Sequence, residues 1–195
     1  MERLQIQIGG QLLKALTIWQ PWASLIACGA KRYETRSWST KYRGPIAIHA
    51  AARDPNKLPG AVKEELERAV RELFNAEKCQ SSPWRWLPTG AVIATAELVS
   101  VWHIAYNVKT DVEEARKFHI IGERMAEDKH EAQGYDYFVP TEKEIALGDW
   151  TPGRYAWKLS NVKILPEPIP VKGKQGLWTF EMPGTGGVQQ RGGNA

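Results

Sequence analysis

One short run in this sequence has the residue types and the spacing to do chemistry. Gly29-Ala30-Lys31-Arg32-Tyr33-Glu34-Thr35-Arg36 sets a lysine, a glutamate and an arginine within six positions, directly after an apolar segment that ends in glycine. A carboxylate accepts hydrogen bonds from an exocyclic amine, whereas Arg and Lys donate to carbonyl or phosphate oxygens; together they can read the edge of a nucleobase. For hydrolysis the same groups would serve as a water activator, Glu34, and an electrostatic stabiliser, Lys31. The other use open to them is structural: a buried ion pair that fixes the register of a strand.

Aromatic and basic neighbours crowd this run. Trp19-Gln20-Pro21-Trp22 precedes it, and Ser37-Trp38 and Tyr42-Arg43-Gly44-Pro45 follow. Trp22 and Trp38, with Trp84 and Trp86, are candidates for stacking on a base, and Trp19 and Trp22 lie near the mouth of the same region. Lys31, Arg32, Arg36, Lys41, Arg43 and Arg53 put six cations in about twenty-three positions, a density that suits phosphate contact or a solvated face. His49 closes an apolar stretch near the motif and reads as either a satisfied core residue or a ligand contact. His103, His119 and His130 have no metal-ligand spacing, and His119 with Glu123 does not complete a His-Glu-x-x-His helix, so no metal and no cofactor are expected.

These residues need elements to hold them. Lys14 to Ile18 reads as a short strand. Pro21 then opens a helix in which Trp22, Leu25 and Ile26 form one buried stripe, and Gly29 takes the left-handed position after its last turn. A strand from Arg32 to Trp38 follows. Pleating puts Arg32, Glu34, Arg36 and Trp38 on one face and Tyr33, Thr35 and Ser37 on the other. Ile46 to Ala50 reads as a strand, 60–78 as an amphipathic helix, and Gly90 to Trp102 as a long buried strand. In that long strand Glu97 is the one ionisable group, and its expected place is the outward rim. Residues 111–131 read as a second helical stretch, Gly153 to Leu165 and Leu177 to Phe180 as strands, and Gly184 to Ala195 as a flexible tail.

Composition narrows the class. The chain has 195 residues with 43% hydrophobic and 25% charged, enough for one domain with its own core. Nine tryptophans against four phenylalanines are the outlier, serving both packing and stacking. Net charge is +4, which permits phosphate binding without demanding it. Cys28 and Cys79 stand apart, against a disulfide framework. The N-terminal residues do not read as a charged-plus-apolar leader, and no apolar run approaches membrane-spanning length. The expectation is a soluble, cytoplasmic protein with no membrane contact.

The pattern Gly29-x-Lys31-x-x-Glu34-x-Arg36 resembles that of the ASCH domains (activating signal cointegrator homology), part of the PUA-like β-barrel superfamily. Ile18-Trp19-Gln20-Pro21-Trp22-Ala23 is similar to the family's opening segment. Tyr42 to Ala50, Leu87-Pro88-x-Gly90-Ala91-Val92-Ile93, Gly153-Arg154-Tyr155-Ala156-Trp157 and Gly173-Lys174-Gln175-Gly176-Leu177-Trp178 are similar to its later blocks, in order along the chain. The resemblance implies an α+β fold: a small PUA-like mixed β-barrel with flanking helices, for which the strand pattern alone also allows a strongly curved sheet. The resemblance covers roughly residues 15–180, and the chain's own pattern sets the domain at 14–182 with helical insertions at about 52–89 and 104–147, an N-terminal extension at 1–13 and a flexible tail at 183–195. The resemblance implies a partner that is RNA, single-stranded DNA or a modified nucleoside. The cleft would be lined by Trp22, Lys31, Arg32, Glu34, Arg36, Trp38, Arg43 and His49. The alternative it implies is a hydrolase, either an amidohydrolase on N4-acetylcytidine-type nucleosides or a ribonuclease, with Lys31 and Glu34 as the reacting pair. The hydrolysing branch carries a threonine nucleophile where this chain has Glu34, which tells against that mechanism here.

Overall fold

The computed structural model describes residues 10–57, 64, 66–67, 71, 87–104, 123–124 and 140–183. In chain order these form β1 (Leu12–Ile18), α1 (Trp22–Ala27), β2 (Tyr33–Arg36), β3 (Gly44–Ala50), β4 (Ala91–His103), β5 (Glu123–Arg124), α2 (Glu142–Ala146), β6 (Tyr155–Pro170) and β7 (Leu177–Glu181). The strands make one mixed sheet in the order β2-β6-β4-β3-β1-β7, with β5 added beside β4. Among the described residues, only β1 and β3 pair in parallel.

The sheet is strongly curved. β2 and β1 are four strand steps apart, about 19 Å across a flat sheet. Yet the Arg36 Nη2 on β2 donates to the Thr17 carbonyl on β1 at 2.7 Å. The bending is built into the longest pair. β4 and β6 shift register between Val92 and Ala94, Thr95 and Glu97, and Leu98 and Ser100, and β3 and β4 shift once more at Ile48/His49. Each such bulge bends its strand and increases the local twist. The curled sheet does not close as the expected barrel: β2 and β7 stand at the two ends of the ladder and exchange no strand pairing among the described residues.

Helix α1 fills the concave side. Ala23 and Ile26 pack with Leu16, Ile18, Ile46, Ile48, Leu98, Val101 and Trp157 in the main core. Leu25 turns instead to Leu66 and Leu147. The opposite face of β1, β3 and β7 buries Leu13, Ala15, Ala47, Trp178 and Phe180. The turn into α1 is fixed by Gln20, whose amide donates to Ser24 Oγ and the Pro88 carbonyl and accepts from Ser24 N.

Of the expected helix at 60–78, the described residues Glu64, Leu66, Glu67 and Arg71 are helical, and the rest of it lies outside the described residues. The stretch 111–131 does not form one helix: Glu123–Arg124 pairs with Trp102 and His103 as a strand. Residues 1–9 and 184–195 also lie outside the described residues. Glu97 takes the outward position expected of it and accepts from Asn161 Nδ2 at 2.8 Å. Among the described residues no helix is long and apolar enough to cross a membrane.

Candidate functional site

Beside α1, where β2 meets the end of β1, lies a cavity of about 330 Å³. That is within the range of small-ligand sites, about 300–1,000 Å³. Ile18, Trp19 and Trp22 border it on one side and Leu147, Gly148 and Asp149 on another. Lys31, Glu34, Thr35, Arg36 and Arg154 supply its polar groups.

The local sequence explains how Lys31 gets there. Gly29 adopts φ +77°, the left-handed conformation predicted for it. The N–H groups of Cys28, Gly29 and Lys31 then donate to the carbonyls of Ser24, Ile26 and Leu25, closing the end of α1 and reversing the chain. The Lys31 side chain is left only 1% exposed at the base of the cavity. Its ammonium lies 4.0 Å from Glu144 Oε2 and has no hydrogen-bond partner among the described residues. Burial pushes its pKa below the ordinary lysine value, against the upward pull of Glu34 and Glu144.

Glu34 and Arg36 are two apart on β2, and their side chains pair at 3.2 Å, as the strand alternation predicts. Thr35 departs from that expectation. Its Oγ1 accepts from Asp149 N at 3.2 Å, so the 147–150 turn wraps the edge strand and brings Thr35 into the same cavity. Arg154, just before β6, borders the cavity too, pairing with Asp149 at 3.2 Å and donating to the Thr35 carbonyl.

Trp84 and Trp86 lie outside the described residues, and the other expected residues that the structure describes are elsewhere. Trp38 packs edge-on against Trp157, with ring centroids 4.6 Å apart, and does not line the cavity. Arg32 is exposed and contributes its backbone N–H to Glu144. The Arg43 guanidinium donates to the carbonyls of Thr40 and Tyr42, bracing a turn. His49 lies on the opposite sheet face, its Nε2 donating to the Val171 carbonyl and its ring against Trp178. Trp22, Lys31, Glu34 and Arg36 are the expected residues that the fold brings together.

Glu144, Leu147, Gly148, Asp149 and Arg154 are not signalled as site residues by the Lys31–Arg36 motif. A local signal existed for the first of them. Thr141-Glu142-Lys143-Glu144 has the Thr-x-x-Glu form of a helix start, and Thr141 Oγ1 does accept from Glu144 N. The Glu144 carboxylate, instead of folding back on its own helix, reaches Lys31 and the N–H of Arg32. Burial pushes its pKa above the ordinary 4.5, opposed by Lys31 and by the N–H groups of Arg32 and Tyr33.

That shift has a measurable sign. Between 4.5 and the raised folded value, the native state holds a proton that the unfolded chain has released. The stability from this group is therefore present below 4.5 and lost as pH rises through the folded value. Glu144→Gln removes the titration. In melts from about pH 4 to about pH 7 the Tm of the wild type should fall relative to that of Glu144→Gln; parallel curves would refute the assignment.

A family model described as the ASCH domain matches residues 16–161. Activating signal cointegrator 1 of Homo sapiens is 51% identical over 84 residues, which is 43% of this chain and 13% of that protein. The Mus musculus protein of the same name is 49% identical over 84 residues, with the same shares. The match thus spans about an eighth of the length of these curated relatives.

Proposed function

Because the chain belongs to the ASCH domain family, we propose that its cleft binds RNA or a nucleotide and reads one base by its edge. The observation that carries this reading is the Lys31 ammonium. It is buried and, among the described residues, without a hydrogen-bond partner, beside a cavity of small-ligand size. A buried ammonium is costly unless it finds acceptors. A carbonyl or ring nitrogen of a base supplies one, and the Glu34 carboxylate accepts from an exocyclic amine on the same edge. Among the pyrimidines, cytosine offers both groups within one ring, whereas uracil and thymine lack the exocyclic amine. Trp19 and Trp22 at the mouth provide faces for stacking.

The test is calorimetric titration with a panel of nucleosides and short RNA and single-stranded DNA oligomers. At least one base should bind, and Trp19→Ala should weaken it by about 5- to 150-fold, the usual worth of one base–aromatic stack. If no member of the panel binds, the reading fails.

One observation favours a hydrolytic alternative: burial drives Lys31 toward its neutral form, in the same cavity as a carboxylate able to activate water. In that case water adds to the acyl carbon of N4-acetylcytidine, the bond from that carbon to N4 breaks, and the departing cytidine amine takes up the proton, leaving acetate. Chromatographic detection of cytidine, abolished in Glu34→Gln, would establish it. Ligand binding with no product leaves the binding reading in place.

A further inference from the structure

The cleft's charges cancel in pairs. Glu34 faces Arg36 and Asp149 faces Arg154, each at 3.2 Å, and Lys31 faces Glu144 at 4.0 Å. Among the described residues, three cations stand against three carboxylates, Glu144 from behind the cavity wall, and leave no formal excess of charge. Such an interior suits an uncharged hydrogen-bonding ring better than a phosphate, which would give up its hydration for no net attraction.

The lip of the cleft differs. Trp19, 49% exposed, borders the cavity, and the Arg53 guanidinium lies 3.8 Å from its ring centroid. The fold dictates this meeting. β1 and β3 are parallel with Ile18 opposite Ala50, and Ala51 N donates to the Ile18 carbonyl, so both chains leave the sheet side by side. Arg53 is exposed, and among the described residues the Trp19 ring is its partner and no carboxylate pairs with it. The adjacent Asp54 carboxylate is turned to the N–H and amide of Asn56. A guanidinium stacked on an aromatic ring keeps its N–H donors directed outward in its own plane, free for bidentate contact with a phosphate.

We propose that Arg53, supported by Trp19, is a phosphate site at the mouth of the cleft, so that the ligand is a phosphorylated nucleotide and not a nucleoside. This rests on the base-binding reading above. The phosphate belongs to the nucleotide whose base enters the cleft, either as a free monophosphate or as a link in a strand.

The experiment titrates the full chain, Arg53→Gln and Arg53→Lys with nucleosides, their 5′- and 3′-monophosphates and a short RNA oligomer. The wild type should bind the phosphorylated ligand about tenfold more tightly than the nucleoside. Arg53→Gln should remove that gain while leaving nucleoside affinity within about twofold, and Arg53→Lys should keep part of it. For the oligomer, the slope of log affinity against log salt should become shallower by about 0.7 in Arg53→Gln. A gain with free monophosphates identifies them as ligands; a gain with the oligomer alone identifies the strand. A phosphate gain absent from the wild type, or undiminished in Arg53→Gln, overturns the phosphate site and leaves the base-binding cleft standing. Failure of every ligand to bind the wild type overturns both.

Discussion

Lys31→Met should cost ligand affinity by about 10- to 150-fold, the worth of a hydrogen bond to a charged group, while the protein still folds. Methionine matches the unbranched stem of lysine and fills the same space, but cannot donate. Stability responds differently from affinity, because the ammonium is held against the cost of burial. Removing it relieves that cost but strands Glu144, whose carboxyl then lacks its facing cation and is driven further toward the protonated form. The double variant Lys31→Met/Glu144→Gln should therefore be more stable at neutral pH than the additive sum of the singles. The wild type should also lose affinity as pH rises toward the Lys31 pKa, which lies below the ordinary 10.5. Over that window the unfolded chain still holds the proton, so this residue's contribution to stability rises with pH as binding falls. Unchanged affinity in Lys31→Met would remove the basis for the base-binding reading.

What the sequence made legible was local. Pro21, the stripe through Leu25 and Ile26, and Gly29 each act within one turn of chain, and together they deliver Lys31 to its place. The Glu34–Arg36 pairing follows from the two-residue period of a strand. The period misled where the strand stopped. β2 ends at Arg36, so Trp38 no longer belongs to its alternation and turns to Trp157; among the described residues Trp19 and Trp22 are the tryptophans that border the cleft. In β4 the alternation is reset. Ala91 and Ile93 face the main core, then Ala94, Ala96 and Leu98, then Val101, each change falling at a register shift. A bulge inserts one residue and leaves no mark on composition, so the curvature that brings β2 to β1 could not be read from the hydrophobic pattern.

The far wall was hidden for another reason. Glu144, Gly148 and Asp149 are more than a hundred positions from the motif that they complete, and nothing near them in sequence says that they fold onto β2. Their attachment is specific once seen. Trp150 is buried, donates through Nε1 to the Glu144 carbonyl at 2.7 Å, and packs with Trp102, Ile104 and Ala156. Its ring anchors the turn, and the turn in turn roofs Lys31.

Gly148 tests this coupling between fold and site. A Cβ at position 148 would lie 2.6 Å from Trp150 Nε1, 3.2 Å from its Cδ1 and 3.2 Å from Lys31 Nζ. The indole is held by its Nε1 hydrogen bond to the Glu144 carbonyl and by contact with the Tyr33 ring, so it cannot move cheaply. The turn must move instead, taking Asp149 away from Thr35 and Arg154. Gly148→Ala should therefore cost about 1–3 kcal/mol of stability by overpacking, measured by urea denaturation, and weaken ligand binding in the same variant. Trp150→Phe removes the atom that the new methyl meets first, at the loss of its hydrogen bond to Glu144. In the double variant Gly148→Ala/Trp150→Phe the two losses should fall short of their sum by about 1 kcal/mol. Additive losses would mean that the methyl is accommodated without disturbing Trp150. The roof of the cleft would then be adjustable, and the position of Lys31 would owe nothing to the tryptophan behind it.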